Sequence, residues 1–345
     1  MRMLVAALFA ATCLVGCATD LAADPAWSEA RQPVHIVSQT GSLRLLFVGD
    51  VMLGRSVAPI AEDDPHGIFA GVRYALTQAD VAVFNLESPL TDRSHESDNP
   101  NMLEADPATA ELLAAAGFDV AVLANNHSGD AGIAGIRDTV AALAASGIRA
   151  VGVGTDGEMA ATSLLVNAGS LEVAFLAFDL TWQGPAAGDG PGLAEWDMET
   201  VTAAVAAAQE TADVVAVGIH GGIEYRTEGD DPIVGPAIAQ LAALGVDVVW
   251  GHGPHVVQPI RVVESVDDGP LVAASSLGNF LFDQRSGEPA SGAILEVLVD
   301  AEGVVAYRRG VTDHSDLRVA FLGWAPPSAD AVAIDGEWWE LVRDV

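Results

Sequence analysis

The sequence predicts an α/β fold built from mixed sheets, and three features support that prediction. Short apolar runs rich in β-branched residues recur along the chain, as expected of strands buried on both faces. Alanine-rich helical stretches separate several of these runs, and some end at or near a glycine. Late in the chain, the turn at residues 300–303 joins two further runs in a hairpin, which makes part of a sheet antiparallel. Alternating strands and helices are typical of layered α/β proteins.

The predicted elements follow in order. Strands are expected at Leu43–Val48, Val81–Phe84, Val120–Leu123, Val173–Phe178, Val214–Ile219, Val246–Trp250, Leu271–Ser275, Ala293–Val299 and Val304–Arg309. Helices are expected at Ala108–Ala116, Ile136–Ala145, Glu199–Thr211 and Pro236–Leu244. Glycine and proline dominate residues 184–192, which predicts a surface loop there.

Composition narrows the class of protein and its partners. Half of the 345 residues are hydrophobic, which is enough to bury a large core. The chain carries 48 acidic residues against 15 basic ones, all of them arginine, for a net charge of −33. Because such a surface repels phosphate backbones, we expect no nucleic-acid partner.

The first residues are typical of a bacterial secretory signal. Arg2 precedes a short apolar stretch, and Gly16-Cys17 follows it. Cys17 after a small residue resembles the lipoprotein box, in which the cysteine is lipidated and begins the mature chain. We therefore expect a lipoprotein signal at 1–17, a flexible tether at 18–42, and a protein anchored to the outer face of the cell membrane. An ordinary cleaved signal with a chance cysteine is the alternative.

Polar side chains follow nearly every predicted strand. These are Asp50, Asn85, Glu87, Asn125, Asn126, His127, Asp130, His220, His252, His255 and Asn279. The carboxyl ends of parallel strands open into a common crevice, so these side chains should meet. Carboxylate, imidazole and amide groups without a thiolate suit one or two divalent ions such as Mn, Zn, Fe or Mg. Ions of this kind activate water.

Six successive segments resemble the motifs of the CapA family, which is linked to poly-γ-glutamate capsule synthesis. The segments are Gly49–Arg55, Asn85–Thr91, Ala124–Gly132, His220–Tyr225, Gly251–Gln258 and Ser276–Asp283. The family is similar to the calcineurin-like metallophosphoesterases, which implies a metallophosphatase-like four-layer α/β/β/α sandwich. The resemblance places this domain at 43–285, with 286–345 as a hairpin and strap that pack on it.

The resemblance also implies a role for individual residues. Metal ligands would be Asp50, Glu87, Asn126, His220, His252 and His255, with Glu87 bridging two ions. The catalytic pair would be His127 and Asp130. Substrate-binding residues would be Arg55, Asn85, Asn125, Glu224, Tyr225 and Asn279. Met52 stands where metallophosphoesterases carry a histidine, which leaves fewer ligands for the first ion.

The implied function is a surface-anchored, metal-dependent protein of poly-γ-glutamate biosynthesis that acts by hydrolysis or transfer. Its partners would be an anionic envelope polymer, membrane synthase or export proteins, and the membrane itself. Two alternatives stay open. The ligand set also suits a secreted metallophosphoesterase, and a crevice used only for binding would suit a non-catalytic export or assembly accessory protein.

Overall fold

The computed structural model describes residues 25–36, 41–93, 102–228, 231–264, 269–329, 331–334 and 336–343. The expected signal segment and its Cys17 lie outside these residues. The helices are α1 (Pro25–Ala30), α2 (Ala58–Asp63), α3 (Arg73–Gln78), α4 (Thr109–Ala116), α5 (Gly132–Ala145), α6 (Gly157–Ala161), α7 (Met198–Gln209) and α8 (Val234–Ala243), with a short 3₁₀ helix at Glu288–Ala290. No described helix has the length and apolar character needed to cross a membrane.

The strands are short and mostly buried. In chain order they are β1 (Val34–His35), β2 (Leu43–Val51), β3 (Val81–Leu86), β4 (Val120–Val122), β5 (Arg149–Val151), β6 (Val153–Gly154), β7 (Leu164–Ala168), β8 (Leu171–Asp179), β9 (Gly192–Leu193), β10 (Val214–His220), β11 (Val248–His252), β12 (Ile260–Val263), β13 (Leu271–Ala274), β14 (Asn279–Leu281), β15 (Ser291–Asp300), β16 (Gly303–Asp313), β17 (Ala320–Trp324), β18 (Val332–Ile334) and β19 (Glu337–Leu341).

Two large mixed sheets form the body of the protein. Among the described residues, the first sheet has the order β18-β19-β16-β15-β2-β3-β4-β5, with β14 beside β2 and β17 beside β16. The second has the order β1-β7-β8-β10-β11-β13-β12. Strands β2 to β5 are parallel in the first sheet, and β8, β10, β11 and β13 are parallel in the second. The predicted hairpin is confirmed as β15 and β16, which pair antiparallel.

Among the described residues, three large hydrophobic cores lie between four layers. Between the sheets, Phe47 of the first packs on Trp250 of the second, with ring centroids 4.6 Å apart. A second core lies between the first sheet and helices α4 and α5. A third lies between the second sheet and helices α7 and α8. The α/β/β/α sandwich expected from the sequence is therefore confirmed.

The amino-terminal segment corrects the predicted tether. Residues 25–36 are seated on the domain, because Trp27 of α1 is only 2% exposed and packs in the core that α5 also lines. Ala30, one helical turn later, is buried on the same side. Strand β1 adds a parallel edge to β7. Burial of the indole offsets the entropy of ordering this short segment. The remainder of the expected tether, apart from residues 41 and 42, lies outside the described residues.

The carboxyl-terminal region is part of the first sheet rather than a separate cover. Strand β15 pairs directly with β2, so the boundary expected near residue 285 separates two parts of one sheet. The strap is held by Arg308, whose guanidinium lies 3.7 Å from the ring centroid of Trp324 and 4.5 Å from that of Trp339. The same guanidinium pairs with the buried Glu296 of β15. These contacts stabilise the strands that follow the hairpin.

We expect Trp27→Ala to destabilise the protein by about 3 kcal/mol, because it empties a buried indole site. Urea unfolding followed by circular dichroism measures the change. The matched control is Trp338→Ala, since Trp338 is 58% exposed and its loss should cost less than about 0.5 kcal/mol. Equal unfolding midpoints for the two variants would mean that the amino-terminal helix is not seated on the domain.

Candidate metal centre

The carboxyl ends of strands from both sheets deliver five ligand-type side chains to one place. Asp50 lies near the end of β2 and Glu87 directly follows β3, so the first sheet supplies both carboxylates. His220 and His252 end β10 and β11 and are register partners in the second sheet. His255 follows three residues later. All five are at most 7% exposed, which leaves the cluster nearly closed to bulk water.

The ligand atoms of this cluster are close together. Atoms of Asp50, Glu87 and His220 lie within 4.8 Å of one another. His252 Nδ1 is 3.0 Å and His255 Nδ1 is 3.2 Å from the Asp50 carboxylate. His220 Nε2 is 3.2 Å from Glu87 Oε1. Ligands of one ion at bond lengths near 2.1 Å lie about 3.0–3.4 Å apart, so these separations match a shared ion.

Several buried polar atoms of the cluster make no hydrogen bond. They are Asp50 Oδ2, both Glu87 carboxylate oxygens and both ring nitrogens of His252. A buried polar atom without a partner is costly and calls for a specific cause. Asp50 Oδ2, Glu87 Oε1 and His252 Nδ1 each face another ligand-type atom at 3.0–3.2 Å without making a hydrogen bond, so the donor set fits a divalent cation. Asn126, the expected amide ligand, also has a buried side-chain oxygen without a partner.

Two glycines allow the backbone to bring these side chains together. Gly49 precedes Asp50, and a Cβ on it would lie 1.8 Å from the Gly278 carbonyl oxygen. Gly253 lies between His252, which ends β11, and His255 in the loop that follows. It has φ +107°, and a Cβ there would lie 2.7 Å from the Gly221 carbonyl oxygen. Only glycine permits both close approaches, so the cluster depends on these positions.

The three asparagines expected to bind substrate are buried around the cluster. Asn85 Nδ2 donates to Asp50 Oδ1 at 2.9 Å, and Asn279 Oδ1 lies 2.9 Å from His255 Nδ1. Asn125 Nδ2 donates to Asn85 Oδ1, while its own oxygen accepts from the backbone of residues 127 and 128. These amides position the cluster and the His127 loop. Direct contact with substrate stays a prediction for them.

His127 and Asp130 form the expected pair. Asp130 Oδ2 lies 3.0 Å from His127 Nδ1 and also accepts from the Leu103 backbone. Burial lowers the pKa of His127, but the Asp130 contact and the Glu87 charge outweigh burial and raise it. The side chain is 23% exposed, so a protonated ring remains accessible from the crevice. The geometry suits an acid oriented by a carboxylate.

The rim of the crevice carries the other predicted substrate residues. Arg55 is already paired with Asp283 through two guanidinium hydrogen bonds. Glu224 is exposed. Tyr225 is half-exposed, its ring centroid lies 6.3 Å from that of His255, and its hydroxyl accepts from Gln284 Nε2. The Arg55 charge is therefore compensated within the protein, while the exposed Glu224 adds a negative charge to the rim.

Sequence reasoning missed two residues around the cluster. Gln284 joins Tyr225 to Asn279, since its Oε1 accepts from Asn279 Nδ2 at 2.9 Å. No strand-end signal marks it. Asp179 ends β8, opposite His220 in register, and is fully buried. Its signal was present, because it directly follows the predicted strand Val173–Phe178. It holds the next loop by accepting from the Thr181 amide and hydroxyl.

The buried charges perturb one another strongly in the metal-free protein. Burial and the Asp50 charge raise the pKa of Glu87 to about 8. Burial opposes ionisation of Asp50 as well, but the contacts with His252 and His255 hold its pKa below the usual range. Burial lowers the pKa of His220 to about 3, which keeps its ring neutral, as metal ligation requires. Burial disfavours the charged form of His255, but Glu87 and Asp50 raise its pKa to about 10.

Comparison with known proteins gives a consistent family. The model of the bacterial capsule synthesis protein PGA_cap matches residues 44–284. The PGA biosynthesis protein CapA of Bacillus subtilis (strain 168) is 31% identical over 265 residues, which cover 74% of this chain and 68% of that protein. The capsule biosynthesis protein CapA of Bacillus anthracis is 31% identical over 267 residues, 74% of this chain and 63% of that protein.

A third relative, matched over a shorter stretch, carries a different description. A probable polyglutamine synthesis accessory protein of Mycobacterium tuberculosis (strain ATCC 25618 / H37Rv) is 33% identical over 202 residues, 54% of this chain and 52% of that protein. This chain spans about two thirds of the two Bacillus proteins and about half of the mycobacterial one.

We expect Glu87→Gln to change the pH dependence of stability in chelator-treated protein. The pKa of Glu87 in the folded protein, about 8, lies above the 4.5 of an unperturbed glutamate, so the folded state holds a proton that the unfolded state releases. Glu87 therefore stabilises the fold at low pH, and that contribution is lost as pH rises from about 4.5 to 8, at up to about 1.4 kcal/mol per pH unit. Glutamine removes this loss.

Urea unfolding between pH 5 and pH 8 measures the effect. The variant should gain stability relative to the unsubstituted protein as pH rises. The control is the same substitution at the exposed Glu111 of α4, which should shift stability equally at each pH. A pH-independent difference for Glu87→Gln would contradict the buried, proton-binding carboxyl.

Proposed function

Because this chain belongs to the bacterial capsule synthesis protein family PGA_cap, we propose that it acts on poly-γ-glutamate or a related anionic envelope polymer at a divalent metal centre. The names of the Bacillus relatives support the polymer class. The observation that carries the metal-dependent chemistry is the buried group of Asp50, Glu87 and His220. The reaction we propose is hydrolysis of the polymer or transfer of its chain.

The residues of the cluster fit one or two ions. Asp50, Glu87, His220, His252 and His255 would hold them, and Asn126 offers an amide oxygen. Three imidazoles favour Zn, Mn or Fe over Mg, which prefers oxygen ligands. When bound, such an ion supplies a Lewis acid and a water of lowered pKa.

His127 would complete the chemistry as a proton donor. Because its pKa is raised, the ring of His127 stays protonated up to a higher pH than the ring of an isolated histidine does. Asp130 fixes the orientation of the ring. A protonated imidazole at the crevice can give its proton to a leaving nitrogen or oxygen. Activity should therefore fall as pH rises through the pKa of His127.

We expect the purified protein to contain one or two equivalents of Mn, Zn or Fe, and His252→Ala to lose at least half of that content. Elemental mass spectrometry measures the metal. Release of new amino termini from γ-linked glutamate oligomers measures activity, which should fall about 100-fold or more in the variant. Loss of residues that merely support metal ligands costs 10–100-fold. The control is the same substitution at the exposed His66, which should leave both quantities unchanged.

The same preparation separates the competing functions. A protein that hydrolyses p-nitrophenyl phosphate but not the oligomers would be a metallophosphoesterase. A protein that binds the oligomers without metal and without turnover would be an accessory protein, the description carried by the mycobacterial relative. Either result would overturn the proposed reaction.

We propose that the protein is lipid-anchored outside the cytoplasmic membrane. The support is the Gly16-Cys17 pair after an apolar stretch, which is a pattern in the sequence. Metabolic labelling with a fatty-acid analogue should mark the protein, and Cys17→Ser should abolish the label and release the protein from the membrane fraction. Cys13→Ser is the control, since that cysteine lies within the expected signal and should not matter. Labelling that survives Cys17→Ser would contradict the anchor.

A further inference from the structure

Two exposed aromatic side chains follow neighbouring strands at the end of the sheet where the cluster lies, and only one of them was expected from the sequence. Trp182 follows β8 and Tyr225 follows β10, and they are 55% and 51% exposed. The strands β8 and β10 are neighbours, and Asp179 lies opposite His220 where they end. The two aromatic residues thus leave adjacent strands at the same end of the sheet, where the cluster lies.

Both residues have a positive φ angle, a backbone conformation that residues other than glycine rarely adopt. The φ angle is 53° at Trp182 and 60° at Tyr225. Such conformations persist where the surrounding structure enforces them, and they are concentrated at binding sites. For Trp182 the enforcing contact is Asp179, which fixes Thr181 through its amide and its hydroxyl.

The polar atom of each ring is held while its surface stays open. Trp182 Nε1 donates to the Trp196 carbonyl oxygen at 3.2 Å. The Tyr225 hydroxyl accepts from Gln284 at 2.9 Å. A fixed ring loses little conformational freedom when a ligand binds, so exposed aromatic surface of this kind favours recognition.

The Trp182 loop also packs against the loop that carries His127. A Cβ on Gly184 would lie 3.4 Å from the Asn125 carbonyl oxygen, and one on Gly129 would lie 2.2 Å from Pro185 Cδ. The catalytic candidate and Trp182 are therefore on two loops in direct contact. A chain bound across Trp182 would pass close to His127.

The charges around the crevice argue against recognition of the polymer by cations alone. Arg55 is paired with Asp283, and the exposed Glu224 lies next to Tyr225. The whole chain carries a net charge of −33. This surface repels an approaching polyanion. At physiological salt the repulsion is screened only at separations beyond about 8–10 Å, so it acts on a polymer in contact with the crevice.

We propose that Trp182 and Tyr225 bind the uncharged backbone of the acidic polymer. This inference rests on the proposed function. A γ-linked glutamate chain alternates planar amides and methylene groups, which can stack on ring faces while the α-carboxylates stay in water. The site thus recognises the polymer by its backbone, and the metal centre needs to engage only the group that reacts.

The test compares two oligomers that differ only in charge. One is γ-linked pentaglutamate, and the other is the same oligomer with its α-carboxylates converted to amides. Isothermal titration of metal-loaded protein measures binding at 50 and 500 mM NaCl. Trp182→Ala should weaken binding of both oligomers by about 3–10-fold, and Trp182→Phe should restore most of it. Trp338→Ala, which removes an equally exposed indole from β19, should have no effect.

Salt supplies a second readout. The acidic oligomer should bind as tightly or more tightly at 500 mM, and the amide oligomer should bind at least as tightly as the acidic one at 50 mM. Two results would overturn backbone recognition. In the first, Trp182→Ala binds the oligomers as tightly as Trp338→Ala does. In the second, binding of the acidic oligomer weakens more than 10-fold with salt and the amide oligomer does not bind. Unsubstituted protein that binds neither oligomer overturns the proposed polymer function itself.

Discussion

The structure depends on the burial of two carboxylates, Asp50 and Glu87, where the two sheets meet. Both are fully buried, and each would strongly destabilise the folded state if it remained ionised without a compensating charge. In the metal-free protein, protonation of Glu87 and a charged His255 relieve part of this cost. A divalent cation held by these side chains would relieve it more completely, because its two positive charges would compensate both carboxylates.

Most of the architecture around the cluster serves to hold those charges in register. The first sheet supplies the carboxylates and the second supplies the histidines, so packing of Phe47 on Trp250 between the sheets also fixes the distance between ligands. Buried amides then orient individual ligand atoms, as Asn85 does for Asp50 and Asn279 for His255. The packing between the sheets therefore stabilises the core and also sets the geometry of the site.

What the sequence could predict was local, and what it could not predict was long-range. A strand and the polar residue at its end are close in the sequence. The grouping of Asp50, Glu87, His220, His252 and His255 could therefore be predicted from the sequence. The partner of Arg55 is Asp283, which lies 228 residues away, and no local pattern connects them. The packing of Trp27 in the core that α5 lines is also a contact between distant parts of the sequence, which is why residues 25–36 resembled a tether. Gln284 acts only through contacts with Tyr225 and Asn279, so its importance emerges from packing alone.

The seated helix α1 has a consequence for where the crevice can work. Only the seven residues 18–24 separate Cys17 from Pro25, the first residue of the helix. A fully extended chain of that length reaches about 25–30 Å. If Cys17 carries lipid, the first residue of α1 would lie within about 30 Å of the membrane surface. The crevice would then act close to the membrane surface, where a polymer emerging from the cell would be met first.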